Sequence, residues 1–275
     1  MGVLTLSREL GSGGDAIAKQ VAESLGWSLL DNEGFAAAAR SYGYVRAELE
    51  RVDERSPSFV DRFFRDRQLV YLDIMRAIVY ESALKDNQVI LGRGAHILLR
   101  GIPGVLRARV VAPNEVRQRR LVQNEAVSPA MAEEFILHND RERTSYSRYF
   151  FGAAWGEPMD FDVVLSTGLW DEEEAARLLA GLLRKSFQES PGSSAKLRDL
   201  AFAQKVKAAL MADERLDAGG ISVDCPAPGR LRLHGRVNSE EEKELAESIA
   251  RSFEGVKALE SELVVMPPIE GWYPV

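Results

Sequence analysis

Five short apolar runs, VLTLS at 3–7, WSLLD at 27–31, QVILG at 88–92, VLRARVV at 105–111 and FDVVLST at 161–167, are each followed by a helix candidate. Strands buried on both faces read as near-continuous apolar runs, whereas half-exposed strands alternate. Strands that alternate with helices are joined by right-handed crossovers, which build a parallel sheet with helices on both faces. Residues 1–186 are therefore expected to form an α/β domain of that kind. In PSFVDRFFRDRQLVYLDIMRAIVYESALKD, residues Phe59, Phe63, Leu69, Leu72, Ile74, Ile78 and Val79 form a broad helical stripe, read here as core.

The segment ESPGSSAK lacks periodicity and is rich in small residues, so 187–196 reads as a linker. Beyond it, 197–266 shows a helix–strand–strand–helix–strand pattern, a second, small α+β domain, with 267–275 as a tail. Ser239 followed by Glu242 is a capping-box pattern at the start of its second helix. A net charge of −7 argues against a general nucleic-acid-binding role, so any anion site must come from local clusters. The single cysteine, Cys225, excludes an internal disulfide and fits a reducing compartment. The N-terminus runs straight into a strand candidate, and no apolar run approaches the roughly 20 residues needed to span a bilayer. A cytoplasmic protein without a transmembrane segment is expected.

LTLSRELGSGGDAIAKQVAESLG, residues 4–26, reads as strand, glycine-rich turn and helix. A phosphate cradle needs inward backbone N–H groups, residues small enough for close approach, and a helix N-terminus behind them. Gly11, Ser12, Gly13 and Gly14 meet those needs. Against G-x-x-x-x-G-K-[ST], however, Arg8 stands at the first glycine, Gly14 at the lysine and Asp15 at the hydroxyl position. The loop has no lysine, and taken alone it is equally a tight turn without a ligand.

The ordered set S-R-E-x-G-S-G-G, D-x-E, G-R-G-A, D-x-x-R-x-x-Y and W-G-x-P, spread over residues 1–186, resembles the cytidylate kinase-like family, a branch of the P-loop nucleoside-monophosphate kinases. That family's loop usually lacks the lysine too, and commonly carries a basic residue where Asp15 stands here. True cytidylate kinases place Asp at the position of Gly94. The resemblance implies a P-loop NTPase-type fold that uses ATP and Mg²⁺.

Arg8, at the end of the first strand, lies on the side of an open α/β sheet where ligands bind. Its guanidinium can hold phosphate oxygens, or else pair with Glu9 or Asp31. Asp15 can help hold Mg²⁺, or serve as a first-turn acid favoured by the helix dipole; Glu9 and Glu33 are further metal candidates. Asp31 either faces the acceptor or caps a helix. By resemblance, Arg93 grips the acceptor's phosphate; the alternative is a surface ion pair. Along HNDRERTSYSRYF, Arg141, Ser145 and Arg148 recur at i, i+4 and i+7, so one helix face carries two guanidiniums suited to a migrating phosphoryl group. Arg143 lies off that face, and the plain alternative is a solvated helix. In EVRQRR, Arg117 or Arg120 can add to the set. His96 and His138 are read as structural or surface residues.

Residues 197–266 resemble a BON domain, through GRLRLHGRVNSEEEKELAESIARSFEGVKALESELVV. Alternation puts Arg230, Arg232, His234 and Arg236 on one face of a strand. That stripe either holds an anionic ligand or meets Glu260 and Glu262 by cross-strand pairing; a protein partner is also open. The expected function is transfer of the γ-phosphoryl of ATP to a nucleoside monophosphate, CMP-like, or a related small acceptor. The rivals are a catalytically silent nucleotide sensor signalling through the C-terminal module, and a ligand-binding or assembly protein whose loop holds no nucleotide.

Overall fold

The computed structural model describes residues 2–40, 65–186, 193–213 and 215–266. They fall into two compact units, Met1–Phe63 with Glu81–Ser194, and Phe64–Tyr80 with Ala195–Val275.

The first unit is built on β1 (Val3–Arg8), β2 (Ser28–Leu30), β3 (Gln88–Leu91), β4 (Val105–Val111) and β5 (Val163–Ser166). They form one sheet in the order β2-β3-β1-β4-β5, and every pairing is parallel. Each strand falls within or close to one of the five apolar runs. All six residues of β1 are buried, as a central strand covered on both faces requires. Helices α1 (Gly14–Leu25), α2 (Asn32–Arg40), α3 (Arg65–Leu84), α4 (Ala95–Leu98), α5 (Asn114–Glu125), α6 (Pro129–Phe151) and α7 (Glu172–Ser186) make the connections. Ile17 and Val21 of α1 pack with Leu4, Leu6, Val89, Val110, Leu179 and Leu183 into the main core. Gly26 ends α1 in a left-handed cap, with Trp27 N–H bonded to the Ala22 carbonyl at 2.9 Å. Ser128 caps α6, accepting from Met131 N–H at 3.2 Å, and Pro129 occupies its first turn. The helical stretch expected from residue 57 is described from Arg65; Phe59, Phe63 and the Leu69 side chain lie outside the described residues, while Leu72, Ile74, Ile78 and Val79 are buried.

Thr5, in the middle of β1, is 1% exposed, and its hydroxyl has no hydrogen-bond partner among the described residues. A buried hydroxyl without a partner costs free energy that an apolar isostere does not. Thr5→Val is therefore expected to stabilise the first unit by about 1 kcal/mol. For a unit of this size that is a rise of about 2–4 °C in thermal midpoint, readable by calorimetry.

The second unit contains α8 (Ser193–Ala212), β6 (Ile221–Ala227), β7 (Arg230–Val237), α9 (Glu240–Ser252) and β8 (Ala258–Val265). β7 pairs antiparallel with β6 and parallel with β8. Helix α8 starts inside the expected linker, of which 187–192 lie outside the described residues. Val206, Leu210, Leu231, Leu233, Ala246 and Leu263 form this unit's core. Ser239 caps α9 as its sequence predicts, accepting from Glu242 N–H at 3.2 Å; the Glu242 carboxylate returns to Asn238 N–H at 2.9 Å. Lys207 on α8 is 6% exposed; its ammonium donates to the Ala218 and Ile221 carbonyls and lies 3.8 Å from Asp73 of α3. Burial pushes its pKa down, opposed by Asp73. Phe64–Tyr80, which includes most of α3, groups with the C-terminal residues, so this unit is discontinuous in sequence.

Three of the four members of the basic stripe on β7 are met by acids, while Arg236 is exposed. Arg232 lies 3.4 Å from Glu260 and 3.7 Å from Glu262, Arg230 lies 4.0 Å from Glu260, and His234 lies 2.9 Å from Asp224. The cross-strand alternative describes this face better than an open anion site. Among the described residues no helix is long and apolar enough to cross a membrane.

Candidate active site

β1 ends at Arg8, and the chain turns through Glu9–Gly13 into α1. Gly11 and Gly13 both adopt left-handed backbone, with φ of 77° and 82°, a conformation that side chains disfavour. Almost every loop carbonyl is held from outside. Arg143 Nη1 donates to the Arg8 carbonyl, and Ser12 N–H and Oγ donate to that of Glu9 at 3.2 and 2.8 Å. Arg117 Nε donates to the Leu10 carbonyl at 2.7 Å and Arg120 Nη1 to that of Gly11 at 3.3 Å. Thr167 Oγ1 donates to the Ser12 carbonyl at 2.7 Å, and Ile17 N–H to that of Gly13 at 3.0 Å.

In a trans peptide the C=O and the following N–H point in opposite directions. Outward carbonyls at Leu10, Ser12 and Gly13 therefore turn the N–H groups of Gly11, Gly13 and Gly14 the other way. Among the described residues these three donors meet no protein acceptor. They sit at the positive end of α1, where unsatisfied N–H groups and the helix dipole favour an anion.

Gly14 marks the absent lysine. A Cβ there would lie 2.4 Å from Cβ and 2.8 Å from Cγ of Arg8, so the arginine side chain occupies the place where a lysine would begin. Arg8 is 4% exposed, and its Nε and Nη2 donate to the Asp15 carboxylate at 3.3 and 3.2 Å. The ion-pair alternative for Arg8 names Glu9 or Asp31, and the carboxylate that meets it is that of Asp15. The Glu9 carboxylate receives Arg109 Nη2 at 3.2 Å and Ala112 N–H at 3.3 Å, with Arg117 at 3.6 Å. Arg109 stacks 4.3 Å over the Trp155 ring, and burial pulls its pKa below the ordinary arginine value, opposed by Glu9. Arg117 also makes a two-pronged contact with Asp140 of α6, at 2.9 and 2.8 Å, which fastens that helix to the loop.

A cleft beside the loop is lined by Ser7, Arg93, Arg143, Tyr146, Phe151 and Trp155, among others. Arg93 is buried in a left-handed turn, φ 54°, between Gly92 at 76° and Gly94 at 67°. A non-glycine residue in that region is uncommon, and such strain gathers at functional sites. Its Nη2 donates to Asn32 Oδ1 at 3.3 Å, and its guanidinium lies 5.7 Å from the Phe35 ring centre. Asp31 accepts from Gly34 N–H at 2.9 Å, which caps α2, so the neighbouring Asn32 makes the contact with Arg93. A Cβ on Gly94 would fall 2.3 Å from the Phe151 ring, so that ring fills the space of the cytidylate kinase aspartate. His96 is buried and stacks on Phe161, centroids 4.6 Å apart; His138 is exposed.

Helix α6 buries Ala132, Ile136, Tyr146, Ser147 and Phe150. Arg143 is seven residues from both Ile136 and Phe150 and shares their face, so it reaches the cleft. Arg141, Ser145 and Arg148 are exposed on another side. The structure thus brings Arg8, Arg93 and Arg143 to the loop and cleft, and leaves Arg141 and Arg148 in solvent. Arg143 is the fixed arginine of D-x-x-R-x-x-Y, and the apolar phase of the helix points to it as well.

A nucleoside triphosphate fits this loop by its three turned-in N–H donors. Among the described residues no group of three His, Cys, Asp or Glu side chains could hold a metal ion. Mg²⁺ usually takes only one or two carboxylates, completed by phosphate oxygens and water. Asp15, paired with Arg8 but 71% exposed at the rim, can also meet an ion carried in with phosphate, whereas the less exposed Glu9 is committed to Arg109 and Ala112.

Residues 3–169 match the model of the cytidylate kinase-like family, and residues 198–267 match the BON domain. No curated protein matches the chain. Among solved structures, an uncharacterized protein from Eubacterium ventriosum ATCC 27560 is 20% identical with a TM-score of 0.51, over 67% of this chain and 99% of that one. Shikimate kinase from Acinetobacter baumannii, in complex with shikimate, is 12% identical with a TM-score of 0.41, over 69% and 96%. Shikimate kinase from Bacteroides thetaiotaomicron is 16% identical with a TM-score of 0.41, over 66% and 98%. The first of these likenesses concerns the fold alone. With more than half of its length matched by one family model, the chain belongs to the cytidylate kinase-like family and carries a BON domain on its C-terminal side.

Proposed function

We propose that the first unit is a nucleotide-binding phosphotransferase that moves the γ-phosphoryl of ATP to a nucleoside monophosphate or a related small acceptor, in the cytoplasm. The observation that carries this reading is the trio of N–H groups at Gly11, Gly13 and Gly14, which meet no acceptor among the described residues at the head of α1. In this reading they take the donor's phosphates, and Arg93 takes the acceptor's anionic group. Arg143, which lines the cleft with Arg93 and donates to the Arg8 carbonyl, neutralises charge on the migrating phosphoryl, the main demand of such a reaction. Mg²⁺, held by phosphate oxygens with help from Asp15, supplies further neutralisation when bound. With Phe151 where cytidylate kinases carry an aspartate, a strict preference for cytosine is not expected.

The pairing of Arg8 with Asp15 favours a second reading, a sensor that binds nucleotide without transferring phosphate, because it engages the guanidinium nearest the missing lysine. Titration calorimetry with Mg-ATP, beside ADP release in the presence of CMP, dCMP, UMP or AMP, separates the two. Binding with ADP release on one acceptor supports the transferase, and binding without release supports the sensor. Absence of binding overturns both.

A further inference from the structure

Thr167 follows β5 at the carboxyl edge of the sheet, is 2% exposed, and takes no part in the chemistry described above. Its hydroxyl has one proton and two carbonyls within reach, and the nearer, that of Ser12 at 2.7 Å against 3.4 Å for Val111, takes it. The same oxygen accepts from Arg120 Nη1 at 2.8 Å, while Arg120 Nη2 donates to the Thr167 carbonyl at 3.1 Å. Arg120 also reaches the Gly11 carbonyl. The result is a relay from a guanidinium through a hydroxyl to a loop peptide, and each donor in such a chain strengthens the next.

The peptide held by this relay precedes a glycine. It joins Ser12 to Gly13, and glycine accepts either sign of φ at little cost, so this plane, like the Leu10–Gly11 plane that Arg117 holds, can flip. A flip would aim the Ser12 carbonyl, a negative dipole end, into the cradle and turn Gly13 N–H out of it. Among the described residues Thr167 is the donor that opposes that flip. We infer that Thr167, oriented by Arg120, is a positioning residue that keeps the Ser12–Gly13 peptide turned for anion binding. The inference rests on the phosphate reading of the loop.

Thr167→Val keeps the volume and branching of the side chain and removes the donor. Thr167→Ser keeps the donor and removes a methyl group. With the full chain and inorganic tripolyphosphate as probe, calorimetry should find Thr167→Ser within about threefold of wild type and Thr167→Val weaker by about tenfold or more, the size of one lost hydrogen bond. Thr5→Val, which removes a hydroxyl that has no partner among the described residues, should leave the affinity unchanged. In ¹⁵N-glycine spectra, tripolyphosphate should move the Gly11, Gly13 and Gly14 amides of the wild type. In Thr167→Val the Gly13 response should be lost and that of Gly14, fixed by Ile17 N–H, should persist, which also shows the variant folded. Wild-type affinity in Thr167→Val, or an unchanged Gly13 response, overturns the role of Thr167 and leaves the loop reading standing. If the wild type itself fails to bind tripolyphosphate, the loop reading falls and the role of Thr167 with it.

Discussion

Gly14→Lys, which restores the residue that most phosphate loops carry, is expected to weaken ATP binding by about 100-fold or more, equivalent to roughly 2.7 kcal/mol. The new Cβ would fall 2.4 Å from Arg8 Cβ, near the root of that side chain and far from its flexible end. Arg8 cannot step aside cheaply: it is buried, its carbonyl is held by Arg143, and its guanidinium is held by Asp15. Overpacking of this kind costs about 1–3 kcal/mol by itself. Here it also displaces the strand end from which the loop departs, so a drop in melting temperature should accompany the loss of affinity. Calorimetry and thermal unfolding on the same preparation check both. A lysine variant that binds ATP as well as the wild type would mean that Arg8 does not occupy the lysine's place.

Arg143→Ala is expected to lower kcat/KM for transfer by about a thousandfold, the scale seen for arginines that neutralise a migrating phosphoryl. Arg141→Ala and Arg148→Ala, on exposed positions of the same helix, should change it by less than about twofold, as surface substitutions commonly do. Part of the Arg143 effect would come through the loop, because its Nη1 holds the Arg8 carbonyl. Measuring ATP affinity beside turnover divides the two: loss of affinity reports the loop, and loss of kcat at saturating ATP reports the transition state. Equal sensitivity at all three arginines would show that α6 closes over the site in some other rotation than the one described here.

The contrast among those arginines bounds what is legible in the sequence. The sheet was legible because strands buried on both faces leave near-continuous apolar runs, and all five runs became strands. The basic stripe on β7 and its acidic partners on β8 were legible for a similar reason, since alternation fixes which side chains share a face. On α6, spacing alone allows several faces, and Arg141, Ser145 and Arg148 satisfy i, i+4, i+7 as well as any. The apolar phase of Ile136, Tyr146 and Phe150 selects Arg143, and so does the fixed arginine of D-x-x-R-x-x-Y. The carbonyl supports of the loop were beyond reach: they are side-chain to backbone bonds between residues as far apart as Ser12 and Thr167, and no periodicity records them. Nor does any spacing reveal that Asn32, next to the expected Asp31, meets Arg93, or that most of α3 groups with the C-terminal unit.

A crystal structure with a non-hydrolysable ATP analogue and Mg²⁺ tests most directly how this loop works without a lysine. Phosphate oxygens are expected within hydrogen-bonding distance of the Gly11, Gly13 and Gly14 nitrogens, with the loop carbonyls still held outward and a guanidinium of Arg8 or Arg143 on the phosphates. A triphosphate seated elsewhere, or those three nitrogens bonded to protein while the analogue is bound, would contradict it.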